Sequence, residues 1–472
     1  MSGRQSRIPF LALLVALTLA AVGLEYYPRP GAAWIHQLTI WAVVLLAVVG
    51  FVVGYNRVSA AADGFAIRRR IVLGAVPLWI AALCVAPFDS LDLAGYLNCG
   101  RIEVVYGLNP YVTPVDRIPN WKQDSLLAGY WHDTLCAYGF LFSRIASVVV
   151  SLGSEDREAT FLLFKLVNVV ALALIVWLVD RGCRIANRPR SVGIFLVAWN
   201  PLLLLHGISN GHNDLLAGLG LTAALVAAQA RWWWAVLPAL VATALIKYST
   251  VPLLPLAGLY LLRQHGWLRT SIGAALATGL SLAISWPYVA DGSALDLSKN
   301  LANVTTFVNS IGSMVVIPLA ALGKSWPAAA GIETDAASVL KAAGGMLVLG
   351  LVATLAWRRT RDRAYSCDAF IRDAVLVQFA MIAIASSKFY AWYLLMFCPT
   401  IALLPEASRL RRATFVLMVA QLGSFTFLSR AHIVSPLFLI VWPLCWYWRS
   451  ARRTGHVLPF PTPIDASRRR AA

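Results

Sequence analysis

Apolar blocks long enough to cross a bilayer recur along this chain, separated by short polar connections. A hydrocarbon core of roughly 30 Å takes about 20 helical residues at 1.5 Å each. In lipid a lone segment must satisfy its own backbone hydrogen bonds, and blocks this apolar do so as helices. Only 13% of the 472 residues are charged, against about a quarter in soluble domains. That share cannot coat a water-soluble globule of this length. The expected fold class is an all-α polytopic membrane protein.

The formal net charge of +18 would in a soluble protein raise nucleic acid as a partner. Here the basic residues sit in the connections and the tail, where they orient helices, so nucleic acid is set aside and membrane lipid is the surrounding partner. The seven cysteines form no C-x-x-C pair and show no metal-ligand spacing, which argues against a zinc site.

Flanking charge gives the topology. Arg4 and Arg7 precede Ile8–Tyr26, read as an uncleaved first helix because Glu25-Tyr26-Tyr27 is a poor cleavage flank. Trp34–Tyr55 and Ile71–Phe88 follow, with Arg57, Arg68, Arg69 and Arg70 marking a cytoplasmic loop between them. An acidic outer loop then covers residues 89–133. Were the next block, 134–152, to span, Glu155, Asp156 and Glu158 would lie inside and Arg181, Arg184, Arg188 and Arg190 outside. Both placements break the charge rule, so this block is expected to be re-entrant or interfacial. Arg144 in its middle argues the same way.

Further spans are expected at Ala159–Val179, Val192–His206, Asn213–Ala230, Trp232–Ile246, Tyr248–Leu262 and Ser271–Tyr288. The short pair meeting at Lys247 reads as broken helices. A second outer region, 290–336, precedes Ala337–Trp357, Asp373–Ser387, Ala391–Leu404, Arg412–Leu428 and Ile433–Trp448. A basic tail, 449–472, lies inside. The expectation is one domain of about 12 to 14 transmembrane helices, both termini cytoplasmic.

Three groups on the outer side carry chemistry. If Ser90–Tyr106 is helical, Asp89, Asp92, Tyr96 and Glu103 are spaced to share a face. Paired carboxylates at a membrane boundary supply a general base with a raised pKa; read blandly, they are first-turn charges favourable to the helix dipole. Spacing does not separate the two. Ser209-Asn210-Gly211-His212-Asn213-Asp214 is the second group; a helix cap accounts for one of these residues but not the cluster. The third is a set of cations, Arg144, Lys165, Lys247 and Lys388, for which a lipid phosphate is a suitable partner. Snorkelling competes with that reading and is favoured for Lys165. Trp392 and Tyr393 read most simply as an aromatic belt. Cys99 and Cys136 share the outer side, which permits a disulfide, although free thiols are the favoured reading.

Taken in order, these segments resemble a GT-C glycosyltransferase. The nearest likeness is to the polyprenol-phosphate-mannose-dependent mannosyltransferases of the actinobacterial lipoglycan type and their family-87-like relatives. Asp92-Leu93-Ala94-Gly95-Tyr96, Gly100-Arg101 and Gly107-Leu108-Asn109-Pro110-Tyr111 match D-x-x-x-Y, G and G-x-(N/D)-P-Y. Tyr138-Gly139-Phe140-Leu141-Phe142 resembles Y-G-P-L-F with Phe140 in place of proline. Gly211-His212-Asn213-Asp214 matches G-H-N-D, and Trp392-Tyr393-Leu394-Leu395 matches W-Y-L-L.

The resemblance implies an active site facing the periplasm in a bacterial inner membrane and a polyprenyl-phosphate sugar donor, mannose being the expected sugar. The acceptor would be a lipid- or glycan-linked hydroxyl. It also implies an acidic base in the first large outer loop, with Asp92 the match by position and Asp89 an extra carboxylate; which acts is open. Arg144, Lys247 and Lys388 would meet the donor phosphate. Tyr96, His212, Asn213, Asp214, Trp392 and Tyr393 would meet acceptor and sugar. The displacement requires no cofactor and the chain has no D-x-D, although a divalent metal is not excluded. The competing class is a transporter or flippase of lipid-linked sugars, for which the breaks at Lys247 and Lys388 would be midplane features.

Overall fold

A computed structural model describes residues 7–23, 33–88, 90–127, 129–290, 306–326, 331–425 and 433–454. Asp89, much of the second outer region and the end of the basic tail lie outside the described residues. Every regular element described is helical, apart from one isolated parallel bridge between Val308 and Lys388.

The first half consists of α1 (Arg7–Gly23), α2 (Ala33–Ala60), α3 (Phe65–Cys84), α4 (Asp92–Val104), α5 (Phe140–Gly153), α6 (Arg157–Ile185), α7 (Arg190–Ala198), α8 (Asp214–Gln229), α9 (Trp233–Ala244) and α10 (Leu254–Val289). Then come α11 (Ser313–Ser325), α12 (Ile332–Arg361), α13 (Cys367–Ala380), α14 (Arg409–Gln421) and α15 (Trp442–Thr454).

Among the described residues four helical stretches are long and apolar enough to cross a membrane: Leu38–Ala60, Arg157–Ile185, Tyr248–Val289 and Ile332–Arg361. A fifth forms if α7 and the π-helical turn Leu203–Ser209, bent by 50° at their junction, count as one. The other expected spans are built from shorter apolar pieces. Ala391–Leu404 becomes two short 3₁₀ segments, and Asp373–Ser387 ends in a π-helical turn. Gly266, at φ 78°, breaks α10 between the blocks expected to end at Leu262 and start at Ser271.

Lipid-facing and core-facing sides separate cleanly on α6. Leu162, Leu166, Val170, Leu174 and Trp177 are exposed, while Leu172, Ile175 and Val179 are buried in the bundle, where α6 packs on α7 and α8. An apolar stripe that large on the outside of a protein is a membrane surface. Helix α8 lies at the centre of the bundle, buried along most of its length.

Charge pairs identify the two ends of the bundle. At one end Asp63 accepts from Arg68 and from the backbone N–H of Arg190, and Arg190 pairs with Asp180 at 2.5 Å. Arg188 pairs with Asp368, and Arg359 with Asp373. The loops to which the charge rule gave one compartment therefore share one end. At the other end Arg101 binds Asp124 at 2.5 Å and Glu155 at 2.8 Å, and Arg157 donates to the Ser125 carbonyl. Helices α3 and α6 both run between these ends, so the stretch between Asp133 and Arg157 starts and finishes on the same one. With 14 residues, α5 is about 21 Å long at 1.5 Å per residue and too short to cross a bilayer.

Candidate active site

The site starts where α3 ends. Helix C-termini leave carbonyls without intrahelical partners. Here the Lys165 ammonium donates to Leu83 O and Val85 O, both at 2.7 Å, and Ser209 Oγ donates to Ala82 O at 2.9 Å. Lys165 is 5% exposed. The snorkelling expected of it is thus corrected: the α3 carbonyls hold the ammonium inside, where charge needs a partner. The Phe88 N–H then donates to Asn210 Oδ1 at 2.8 Å, tying the exit of α3 to the histidine-bearing turn.

Helix α4 opens on Asp92, whose N–H donates to Ser90 Oγ at 3.1 Å. It closes at Gly107, φ 64°, with the Leu108 N–H reaching back to Ile102 O, a glycine-closed terminus. Its Asp92–Tyr96 face meets the turn before α8. His212 Nδ1 lies 3.2 Å from Asp92 Oδ2, and the Asn213 N–H donates to Tyr96 Oη at 3.1 Å. Gly211 allows this approach: its φ is 70°, and a Cβ there would stand 2.7 Å from Leu93 Cδ2. Asn168, inside α6, donates to Gly207 O at 2.7 Å and His212 O at 3.1 Å, which fixes the turn from behind.

The His212 ring stacks on Trp392 at 4.2 Å, and Trp392 stacks on Tyr390 at 4.4 Å. Trp392 is therefore buried in the site rather than part of an aromatic belt. Lys247, at the break after α9, binds Asp214 Oδ1 at 2.5 Å and stands 4.2 Å over the Tyr393 ring. Lys388 lies on the bridge to Val308. Burial pushes its ammonium below the ordinary lysine range, with the Asp92 carboxylate acting in the opposite sense.

Burial alone would raise the Asp92 carboxyl. The hydrogen bond and charge of His212, then Lys247 and Ser90, outweigh it and hold the carboxyl below the ordinary aspartate range. This corrects the expected raised pKa: His212, Lys247 and Ser90 outweigh burial even though the Asp214 carboxylate lies within electrostatic reach of Asp92. His212, Asn213 and Asp214 are each 1% exposed or less. Among the described residues His212 Nε2, both side-chain amide atoms of Asn213, and Asp214 Oδ2 have no hydrogen-bond partner. Buried polar atoms are nearly always bonded, so such a cluster suits a polyhydroxylated ligand. No group of three or more His, Cys, Asp or Glu among the described residues could hold a metal.

Of the residues singled out in the sequence, the structure brings together Asp92, Tyr96, His212, Asn213, Asp214, Lys247, Trp392 and Tyr393, with Lys388 within electrostatic reach. It does not bring Arg144 to them. Mid-α5, Arg144 pairs with Glu103 on the fourth turn of α4 and lies 4.7 Å over Tyr288, whose hydroxyl donates to Glu103 at 2.7 Å. Cys99 and Cys136 form a disulfide, where free thiols were the favoured reading. Sequence reasoning missed Tyr390 and Asn168. For Asn168 the available signal was an isolated amide in a long apolar block; Tyr390 offered none.

Fold and site define a polytopic helical membrane protein with an acid–histidine–lysine centre buried near one end of the bundle. Residues 11–263, more than half of the 472, match the family described as alpha-(1->6)-mannopyranosyltransferase, N-terminal domain. The chain belongs to this family, which bears out the GT-C, family-87-like resemblance. An alpha-(1->6)-mannopyranosyltransferase of Mycobacterium tuberculosis is 34% identical over 149 residues, 31% of this chain and 25% of that protein. Alpha-(1->6)-mannopyranosyltransferase A of the same organism is 29% identical over 198 residues, 40% of this chain and 37% of the relative. The Corynebacterium glutamicum protein of that name is 24% identical over 229 residues, 45% and 44% of the two chains. The matches span less than half the length of these curated relatives. No solved structure matches.

Proposed function

We propose that the chain transfers a mannosyl residue from a polyprenyl-phosphate donor to a hydroxyl of a lipid- or glycan-linked acceptor, at the periplasmic face and with inversion. The observation that carries this reading is the contact of Asp92 with His212, beside buried, unpartnered polar atoms of His212, Asn213 and Asp214. The names of the relatives supply the sugar and the reaction class.

In this mechanism Asp92 takes the proton of the acceptor hydroxyl as that oxygen attacks the anomeric carbon. The bond from this carbon to the phosphate oxygen breaks, and the lipid phosphate leaves with the electron pair. Phosphate needs charge stabilisation rather than protonation to depart, which Lys247 and Lys388 provide. Asn213 and Asp214 offer acceptors and donors to sugar hydroxyls, and His212 holds the Asp92 carboxylate in place. A site with a bent helix pair at its edge is also what a lipid-linked-sugar transporter would use; product formation separates the two.

The test is Asp92→Asn in purified enzyme given radiolabelled polyprenyl-phosphate mannose. Loss of a general base slows transfer about 10²–10⁴-fold. Near-normal transfer would remove Asp92 from the role, and loss confined to Asp89→Asn would hand it to Asp89. Lys247→Met and Lys388→Met should each raise the donor KM, and unchanged donor affinity in both rejects the phosphate contact.

A further inference from the structure

Cys99 lies seven residues beyond Asp92 and three beyond Tyr96, on the same face of α4. Its disulfide partner Cys136 begins the segment that leads into α5, and both are 5% exposed. The Cys136 N–H also donates to Pro110 O at 2.9 Å. Two residues on, the Tyr138 carbonyl accepts from the hydroxyls of Tyr111 at 2.8 Å and Tyr248 at 3.4 Å. The next residues then dock on the break after α9. Gly139 N–H donates to Ile246 O at 3.1 Å and Leu141 N–H to Leu245 O at 2.9 Å. A Cβ on Gly139 would lie 2.1 Å from Leu245 O, so only glycine admits this approach. The residue following Ile246 is Lys247.

One covalent bond and three backbone hydrogen bonds, the third from the Phe142 N–H to Leu245 O at 3.4 Å, thus connect the helix that carries Asp92 to the break that presents Lys247. The hold of Asp92 on His212 follows a different route, through Phe88 with Asn210 and Tyr96 with Asn213. That route does not pass through the disulfide, although its Tyr96 also meets the Tyr138 and Phe142 rings edge-on at 4.9 and 4.6 Å.

We infer that Cys99 and Cys136 are positioning residues whose disulfide sets Lys247 relative to Asp92, and so governs donor-phosphate binding rather than proton transfer. This rests on the proposed function in giving Lys247 the phosphate. The oxidised protein is the competent form. Reduction loosens the 136–141 segment from α4 and lets the lysine-bearing break drift, while the acid–histidine contact stays.

The experiment uses the full chain purified in detergent. It is reduced with tris(2-carboxyethyl)phosphine until peptide mapping shows Cys99 and Cys136 alkylated by iodoacetamide in a sampled aliquot, and the remainder is later reoxidised with glutathione disulfide. On reduction the KM for polyprenyl-phosphate mannose should rise about tenfold with kcat within about threefold, and reoxidation should restore both. Cys99→Ser/Cys136→Ser should behave as the reduced protein and ignore the phosphine. Alkylation of both cysteines before reduction, an unmoved KM, or a loss in kcat alone overturns the inference. Acetylation of Lys247 by acetic anhydride, read by mass spectrometry, tests positioning without turnover: reactivity should change on reduction, and constant reactivity rejects the coupling. Changed reactivity in a protein that never transfers mannose upholds the positioning and sinks the functional reading instead.

Discussion

At the scale of single residues, the proposed chemistry turns on what surrounds Asp92. A base must be unprotonated to act, and its neighbours hold this carboxyl below the ordinary aspartate value of about 3.9. Falling pH therefore removes activity only as it passes through that depressed value. The acid limb of kcat/KM, measured with polyprenyl-phosphate mannose, should have its midpoint below about pH 4. A midpoint between pH 6 and 7 would give the base to another group. Asp92, Tyr96 and His212 were legible in the sequence because D-x-x-x-Y and G-H-N-D place acid, phenol and imidazole at fixed positions. Arg144 was legible only as a basic residue in an apolar block, which announces a need for a partner without saying which. Its partner, Glu103, satisfies it one helix away from the site.

At the scale of elements, the exit of α3 aims the start of α4, and Lys165 is the residue that closes it. Replacing Lys165 with Met leaves the Leu83 and Val85 carbonyls unpaired, at about 1–3 kcal/mol for each buried acceptor. The expected outcome is a lower melting temperature in detergent together with slower transfer, because Phe88 and Ser90 lose their frame. An unchanged melting temperature would show that these carbonyls find other donors. Gly211→Ala tests the facing element. The left-handed backbone and the contact with Leu93 should cost about 1–2 kcal/mol from conformation alone and separate His212 from Asp92, measured as a fall in kcat with little loss of fold. The short, non-crossing α5 was legible from charge flanks, whereas the breaks within Val192–His206 and Ala391–Leu404 were not. Charge flanks carry no mark of a bend; the signal lay instead in Asn200-Pro201 and Cys398-Pro399 inside the two blocks, because proline interrupts a helix.

At the scale of the whole molecule, orientation decides which compartment supplies the substrates. The structure joins the loops at residues 57–70, 180–191 and 359–373 through the backbone N–H bonds of Arg190 and Ser191 to Asp63 and the Arg188–Asp368 ion pair, and sets them opposite the Arg101–Asp124–Glu155 cluster and the disulfide. Arginine-rich loops stay on the cytoplasmic side, and disulfides persist where the environment is oxidising. Two unrelated forces, one acting during insertion and the other on thiols, thus point to the same orientation. A single cysteine in place of Asp116, in a Cys84→Ser/Cys445→Ser background, should react with a membrane-impermeant maleimide added to intact cells. One in place of Arg363 should react only after permeabilisation. The opposite pattern would put the acid–histidine centre in the cytoplasm and overturn the proposed transfer to a periplasmic acceptor.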